Sequence, residues 1–186
     1  MITERDRKIV EFVTEFKAVY SWHVEQVFFR RHKEGQRQAN RTLRKLWQAG
    51  EIKRTKDQYT DRNIYYVGNR HQLRHKLLIT SVYARMTSFE LVEFIREYMV
   101  GTCQADAFAR FRHGGREYLY FVEIQISHEP VDIGKYEKIL TARLWPERVF
   151  PRVLVVSDRR QEVKSPVRIV QVKTDFSNWE EVTRWR

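Results

Sequence analysis

Apolar residues recur at helical spacing three times in the first quarter of the chain. Residues 4–16 carry an apolar stripe, and Thr3 with Asp6 resembles a capping box at the start of that stripe. A second, shorter helix is expected over residues 21–28, where Ser21 is a suitable cap. A third helix is expected over residues 36–49, where apolar residues recur at i, i+4, i+7 and i+8. The remaining surface of this helix is mostly basic. The pattern predicts three consecutive helices.

After these helices the pattern is typical of strands. Gly50 supplies a left-handed position that commonly ends a helix, and residues 51–56 and 63–67 suit two strands joined by a polar turn. A further helix is expected over residues 72–87. Residues 89–95 favour a strand, with a helix as the alternative.

The second half is expected to continue as an α/β arrangement. Further strands are predicted over residues 105–112, 117–127, 152–157 and 167–173, and a helix over residues 133–144. Between the first two of these strands, His113-Gly114-Gly115-Arg116 suits a hairpin turn in which the glycines take positive φ. The order α, β, β, β, α, β with an extra strand indicates an α+β protein, which we divide into domains at residues 1–70 and 71–186.

Positive charge is concentrated in the first half of the chain. Met1–Thr87 contains 19 Lys and Arg against 9 Asp and Glu, whereas Ser88–Arg186 contains 16 against 15. A surface of one sign attracts partners of the other, so the first half is expected to meet nucleic acid. No apolar run is long enough to span a membrane, and the first residues lack the layout of a signal peptide, so we expect a cytoplasmic protein without a membrane partner.

Residues 43–54 resemble the recognition helix and first wing strand of winged helix-turn-helix proteins, in which the helix enters the major groove and the wing contacts the backbone. That resemblance implies groove contacts and phosphate contacts from two groups of residues. The helix contributes Arg37, Asn40, Arg41, Arg44 and Lys45, and the hairpin contributes Lys53, Arg54, Lys56 and Arg62. The alternative is that these charges only solvate an exposed helix face.

Two carboxylates in the second half resemble the metal-binding core of PD-(D/E)xK nucleases. Asp106 begins one predicted strand, and Glu123 and Gln125 lie on one face of the next. The resemblance implies Asp106 and Glu123 as metal ligands and Asp106, Glu123 and Gln125 as catalytic positions, with Mg²⁺ or Mn²⁺ as the cofactor. Gln125 stands where the family has Lys, and Gln carries no positive charge.

Gln125 in place of the family's Lys leaves three interpretations open. Lys135 or Lys138 on the following helix is a candidate replacement for the missing charge, and Glu90 or Glu93 is a candidate third ligand. The simplest alternative is structural, with Asp106 capping a strand end and Glu123 paired with Arg110 or Arg116. We therefore expect a DNA-binding protein rather than an enzyme, and DNA binding itself requires no cofactor.

Four short segments in order resemble the replication-relaxation family of plasmids and mobile elements. They are residues 3–6, 46–50, 106–108 and 121–123, within a likeness that covers roughly residues 2–160. The family implies an accessory or regulatory protein of plasmid replication or relaxation that binds double-stranded DNA. Alternatives are a metal-dependent nicking endonuclease and a scaffold that docks a replication or relaxation protein. A homodimer is a further expectation, since winged helices often act as pairs.

Overall fold

The computed structural model describes residues 2–127, 129–160 and 164–184 and confirms the expected α+β class. The chain forms two compact units, Met1–Thr87 and Ser88–Arg186, which we call the first unit and the second unit. Within the described ranges no helix has the length and apolar character needed to cross a membrane.

The first unit begins with the three predicted helices. Helix α1 (Glu4–Phe16) starts at the expected capping box, in which the Asp6 N–H donates to Thr3 Oγ1 over 3.2 Å and the Thr3 N–H donates to Asp6 Oδ2 over 2.7 Å. Helix α2 (Ser21–Val24) runs directly into a π-helical turn over Glu25–Phe29. Helix α3 (Gly35–Gln48) buries Ala39, Leu43 and Leu46, because these residues recur on one side of the helix.

The first unit also contains a small antiparallel sheet of three strands. Strands β2 (Lys53–Lys56) and β3 (Asn63–Tyr66) form the predicted hairpin, and β1 (Ala18–Val19) pairs with the other edge of β3. Strand β1 was not predicted, because its two residues are too few to show a periodic pattern.

Helix α4 (Leu73–Met86) belongs to the first unit, although a boundary between residues 70 and 71 would place it in the second. The physical reason is burial, since Leu77 packs with Ala18, Ile64 and Tyr66 in one apolar cluster. The units therefore divide between Thr87 and Ser88, which is also where the surplus of positive charge ends.

The second unit contains a five-stranded sheet in the order β4-β5-β6-β7-β8. Its elements are β4 (Glu90–Val100), β5 (Cys103–His113), β6 (Arg116–Ile124), α5 (Gly134–Thr141), β7 (Arg152–Val156) and β8 (Ile169–Val172). Strands β4, β5 and β6 are antiparallel, and β6, β7 and β8 are parallel. Residues 89–95 thus lead into and form part of a strand, not a helix, and Gly114 and Gly115 take positive φ in the β5–β6 turn as predicted.

One edge of this sheet collects the ends of several strands. The parallel strands β6 and β7 finish there, and β5, which runs the other way, starts there. Helix α5 packs beside this edge through Tyr136 and Ile139, which join Phe108 and Phe121 in the core. In open sheets such carboxyl edges are the usual place for ligand sites.

Candidate nucleic-acid interface and carboxylate cluster

Helix α3 presents a polar surface opposite its buried side. We call the residues Arg37, Asn40, Arg41 and Arg44 the α3 surface; all four are exposed, and their spacing places them along one side of the helix. Arg37 forms an exposed ion pair with Glu34 at 3.3 Å. No hydrogen bond or ion pair joins the side chains of Asn40, Arg41 and Arg44 to any other residue in the described parts of the chain. They are therefore available to a ligand.

Close packing at the start of α3 fixes the direction of this helix. A Cβ atom added to Gly35 would lie 2.6 Å from the carbonyl oxygen of Phe29, so only glycine fits between the π-helical turn and α3. The Gly35 N–H also donates to the carbonyl of His32 over 3.0 Å. The α3 surface is thus carried by a helix whose N-terminal end has little freedom to shift.

Lys45 differs from the other basic residues predicted on α3. Its ammonium group donates to Asp6, whose side chain is nearly buried, whereas the Lys45 side chain is 42% exposed. Burial alone would raise the pKa of Asp6, but hydrogen bonds from Lys45 and Thr3 outweigh burial and hold that pKa below its ordinary value. The ion pair gives Lys45 a structural role between α1 and α3, and its contact with DNA stays a prediction.

Three of the four basic residues predicted on the hairpin contact other groups of the first unit. The Arg54 guanidinium lies 3.5 Å from the centre of the Trp47 ring, which couples β2 to α3. Lys53 Nζ donates to the carbonyl of Gly68 over 2.9 Å, and Lys56 forms an ion pair with Asp61 at 3.2 Å. Arg62 is exposed at the start of β3. The hairpin therefore keeps a defined position relative to α3.

The second unit brings a lysine and a tyrosine to one of the predicted carboxylates. Glu123, with 13% of its side chain exposed, accepts hydrogen bonds from Lys135 Nζ over 2.6 Å and from the Tyr136 hydroxyl. Lys135 Nζ also donates to the carbonyl of Gln104 over 2.7 Å. Burial raises the pKa of Glu123, nearby Asp106 raises it further, and the bonds from Lys135 and Tyr136 only partly offset this.

Asp106 lies beside Glu123 across the β5–β6 pair. Phe108 and Phe121 are directly opposite each other, and Asp106 and Glu123 each lie two residues beyond that pair. Asp106 Oδ2 accepts a hydrogen bond from the backbone N–H of Ile124 over 2.7 Å. We call Asp106, Glu123, Lys135 and Tyr136 the Glu123 cluster.

Gln125 is held in the turn that follows β6. Its amide nitrogen donates to the Ser127 hydroxyl over 2.6 Å and to the carbonyl of Glu129. Lys135, twelve residues beyond Glu123, is the cation that meets the carboxylate. Between the two lysines suggested by the sequence, the structure places Lys135 in contact with Glu123, and Lys138 is exposed.

Glu90 and Glu93 do not join this cluster, so their suggested role as a third ligand is wrong. They lie opposite Arg112 and Arg110, four to six residues along β5 from Asp106, which corresponds to about 13–20 Å of strand. Glu90 instead forms an ion pair with Arg112 at 3.2 Å. The suggested pairing of Glu123 with Arg110 is also wrong, since Arg110 binds Glu147.

The carboxylates of the cluster are compatible with a hard divalent cation. Mg²⁺ is commonly bound by one or two carboxylates with water and substrate oxygens completing its coordination, and Asp106 and Glu123 offer two. No group of three or more His, Cys, Asp or Glu residues able to hold a metal is found in the described ranges. A cation here would therefore depend on water or a phosphate for its other ligands.

One buried histidine in the first unit was not recognised from the sequence. His23 is fully buried, its Nδ1 accepts the Tyr20 N–H over 3.0 Å, and its Nε2 lies 2.9 Å from the Ser81 hydroxyl. Burial, and then the charge of Arg85, hold the pKa of His23 well below its usual value. Because Nδ1 accepts, Nε2 carries the proton, and this neutral ring has a structural role in joining α2 to α4.

Comparison of the chain with protein-family models, with curated proteins and with solved structures finds no match. The geometry and chemistry of the α3 surface and the Glu123 cluster therefore carry the functional proposals.

Proposed function

We propose that the protein binds double-stranded DNA through its first unit, acting as a winged helix-turn-helix domain. The observation that carries this proposal is the α3 surface, where three polar side chains of an otherwise well-anchored helix are without partners in the described structure. Arg54 on Trp47 joins that helix to the basic hairpin. A helix followed by a basic hairpin is the arrangement with which winged helices read a groove and hold the backbone.

The residue types suit two different kinds of contact. Arg41 and Arg44 have the planar, two-pronged donors that pair with guanine, and Asn40 has the amide that pairs with adenine. On the hairpin, Lys53, Arg54, Lys56 and Arg62 are suited to phosphates, which position a protein without reading sequence. The proposal therefore separates specificity on α3 from general affinity on the hairpin.

We propose further that this DNA binding serves replication or relaxation of a plasmid or mobile element, as an accessory or regulatory step. The support is the resemblance of four short segments to the replication-relaxation family, together with a charge surplus confined to the first unit. In this role the protein needs no cofactor.

Removal of Arg41 and Arg44 tests the DNA-binding proposal. The probe is a labelled duplex recovered with the wild-type protein from a randomised pool, and affinity is measured by fluorescence anisotropy at fixed salt. Because a good pairing to a base is worth about 1–3 kcal/mol, Arg41→Ala with Arg44→Ala is expected to lower affinity by about 100-fold.

The matched control removes two charges from the exposed side of another helix of the same unit. Arg7→Ala with Lys8→Ala takes them from α1, where Lys8 makes only an exposed pair with Glu4, and is expected to change affinity by less than about 3-fold. Equal affinities of the Arg41/Arg44 variant and the wild type would overturn the groove assignment.

A second candidate function is metal-dependent cleavage of DNA by the second unit, and the Glu123 cluster favours it. Asp106 and Glu123 would hold Mg²⁺ or Mn²⁺, which supplies an activated water and stabilises charge on a phosphate. Gln125 carries no positive charge, and Lys135 brings one to Glu123 instead. Tyr136 orients the Glu123 carboxylate through its hydroxyl.

A further inference from the structure

A second basic surface lies where the hairpin meets α4. Residues 62–89 contain no Asp or Glu, and their cations are Arg62, Arg70, Arg74, Lys76 and Arg85. Of these cations, only Arg62 is among the DNA-binding residues predicted from the sequence. The remaining cations begin in the loop between β3 and α4, which the structure assigns to the first unit.

Three contacts fold this loop and the start of α4 onto the hairpin. Lys53 Nζ donates to the carbonyl of Gly68 over 2.9 Å. Arg70 Nε donates to the hydroxyl of Tyr66 over 3.0 Å. The Arg74 guanidinium lies 4.9 Å from the centre of the Tyr59 ring. We call Tyr59, Arg62, Arg70 and Arg74 the hairpin–loop surface.

Tyr59 is the most exposed large apolar side chain among those described, with 76% of its surface open to solvent. The turn holds its backbone in place, because the Tyr59 N–H and the Thr60 hydroxyl donate to Asp57 over 3.0 and 2.6 Å. Aromatic rings beside cations stack on the bases of single strands, and on a duplex Tyr is among the side chains that contact the sugar–phosphate backbone.

Acidic residues near the hairpin–loop surface are already engaged. Asp57 accepts hydrogen bonds from Tyr59, Thr60 and the Tyr20 hydroxyl, and Arg74 lies close enough for its charge to act on this carboxylate. Asp61 pairs with Lys56. Arg62, Arg70 and Arg74 are all exposed. The planar guanidinium group binds phosphate through two parallel hydrogen bonds, so the charge and the geometry both suit a phosphodiester backbone.

We propose that the hairpin–loop surface extends the contact of the hairpin with duplex DNA, in that Arg70 and Arg74 join Arg62 in binding backbone phosphates and the Tyr59 ring packs against a deoxyribose or base. This inference rests on the proposed function, since it extends the same DNA-binding unit. It makes the surface a source of affinity that does not depend on sequence, in addition to the α3 surface.

The experiment uses a labelled duplex of mixed sequence, the full chain, and anisotropy titrations between 50 and 200 mM salt. Each phosphate contact contributes about 0.9 to the slope of log affinity against log salt, so Arg70→Gln with Arg74→Gln is expected to reduce the slope by about 1.8. Arg70→Lys with Arg74→Lys keeps the charges and is expected to restore most of the slope. Arg7→Gln with Lys8→Gln is the matched control and is expected to leave the slope within about 0.5 of the wild type.

Tyr59 provides an independent readout. Tyr59→Ala is expected to lower affinity by about 5-fold without changing the salt slope, since stacking releases no counterions, and Tyr59→Phe is expected to retain affinity. An unchanged slope in the Arg70/Arg74 glutamine variant, with native circular dichroism, would overturn the inference. A slope equally reduced in the lysine variant would also overturn it, since that result indicates a structural loss.

The results separate this inference from the proposed function. Wild-type protein that binds no duplex overturns both. If the Arg41/Arg44 variant loses binding but the Arg70/Arg74 glutamine variant keeps the wild-type salt slope, only the inference on the hairpin–loop surface is overturned. If the Arg41/Arg44 variant keeps wild-type affinity but the Arg70/Arg74 glutamine variant has a reduced salt slope, the hairpin–loop surface is retained and the groove assignment on α3 is overturned.

Discussion

Each unit of this protein contains a lysine that pairs with a poorly exposed carboxylate, and the two pairs differ in what they do to that carboxylate. In the first unit, Lys45 and Thr3 lower the pKa of Asp6. In the second unit, Lys135 pairs with Glu123, and the pKa of Glu123 is nevertheless raised. The same kind of ion pair thus accompanies opposite shifts in proton affinity.

The difference follows from the other neighbours of each carboxylate. Asp6 also accepts the backbone N–H and the hydroxyl of Thr3, and it lies at a helix N-terminus, where negative charge is favoured. Burial raises the pKa of both carboxylates, but Glu123 also has the like charge of Asp106 beside it, which favours its protonated form further. The first pair closes a helix cap and stabilises packing. The second holds a carboxylate with perturbed proton affinity at a sheet edge, which is more typical of a functional site.

The largest expected effect tests whether the second pair is chemically active. If the Glu123 cluster is a nuclease site, purified protein with Mg²⁺ or Mn²⁺ nicks supercoiled plasmid, and Asp106→Asn and Glu123→Gln each reduce the nicking rate by at least about 100-fold because each removes a charged metal ligand. Gel assays of plasmid topology measure this rate, and anisotropy checks that duplex affinity is unchanged.

Asp175→Asn is the matched control for nicking, since it removes an exposed carboxylate from a turn of the same unit. Its nicking rate is expected to equal that of the wild type. If the wild-type protein does not nick plasmid, or if the Asp106 and Glu123 variants nick it at the wild-type rate, the pair of Lys135 with Glu123 is structural, like that of Lys45 with Asp6.

The next effect tests whether the first pair is structural, using two neighbours on α3. Lys45→Met leaves the nearly buried Asp6 without its charged donor and is expected to lower the free energy of unfolding by about 2 kcal/mol. Arg44→Met is expected to change it by less than about 0.5 kcal/mol, because Arg44 is exposed. Urea unfolding measures both.

DNA affinity is expected to rank the same two variants in the opposite order. Arg44→Met lowers affinity for the selected duplex by about 10-fold, and Lys45→Met lowers it by less than about 3-fold after correction for the unfolded fraction. A large loss of affinity with full stability in Lys45→Met would instead support the predicted contact of Lys45 with DNA.

The smallest effect is an opposite pH dependence of the two units. The folded pKa of Asp6 is lowered, so its stabilisation is complete above the ordinary value of 3.8 and is lost as pH falls through the folded value. The folded pKa of Glu123 is raised, so the folded state binds more protons just above the ordinary value of 4.5, and stability decreases as pH rises from there to the folded value.

Hydrogen exchange resolves the two units, since amides of α1 and of β6 report on each separately. In the wild type, protection of the α1 amides is expected to fall as pH is lowered, and Asp6→Asn is expected to reduce this fall. Protection of the β6 amides is expected to fall as pH rises above 4.5, and Glu123→Gln is expected to reduce that fall. Identical pH profiles for a variant and the wild type would show that the carboxylate does not titrate differently in the folded state.

Local signals in the sequence were sufficient for most elements of the fold. The capping box at Thr3 and Asp6, the apolar stripe of α3 and the Gly114-Gly115 turn each depend on residues within a few positions of one another. Such signals act through backbone conformation and the burial of one helix face, so they are legible without knowledge of the fold. The two-residue strand β1 was missed because its pairing with β3 depends on residues almost fifty positions away.

The candidate sites depended more strongly on tertiary contacts. Arg44 and Lys45 are adjacent basic residues of one helix, and only the packing of α1 against α3 distinguishes the exposed residue from the paired one. Asp106 and Glu123 were identified as neighbours from strand order, but the choice of Lys135 over Lys138 required the orientation of α5.

The sequence by itself determined the α+β class, the three leading helices, the hairpins and the concentration of positive charge before Ser88, because periodicity, caps, turns and net charge are properties of neighbouring residues. The tertiary structure decided the membership of α4, the partner of Glu123 and the contact of Arg74 with Tyr59. These pairs are chosen by which faces become buried together, and burial is a property of the whole packed unit.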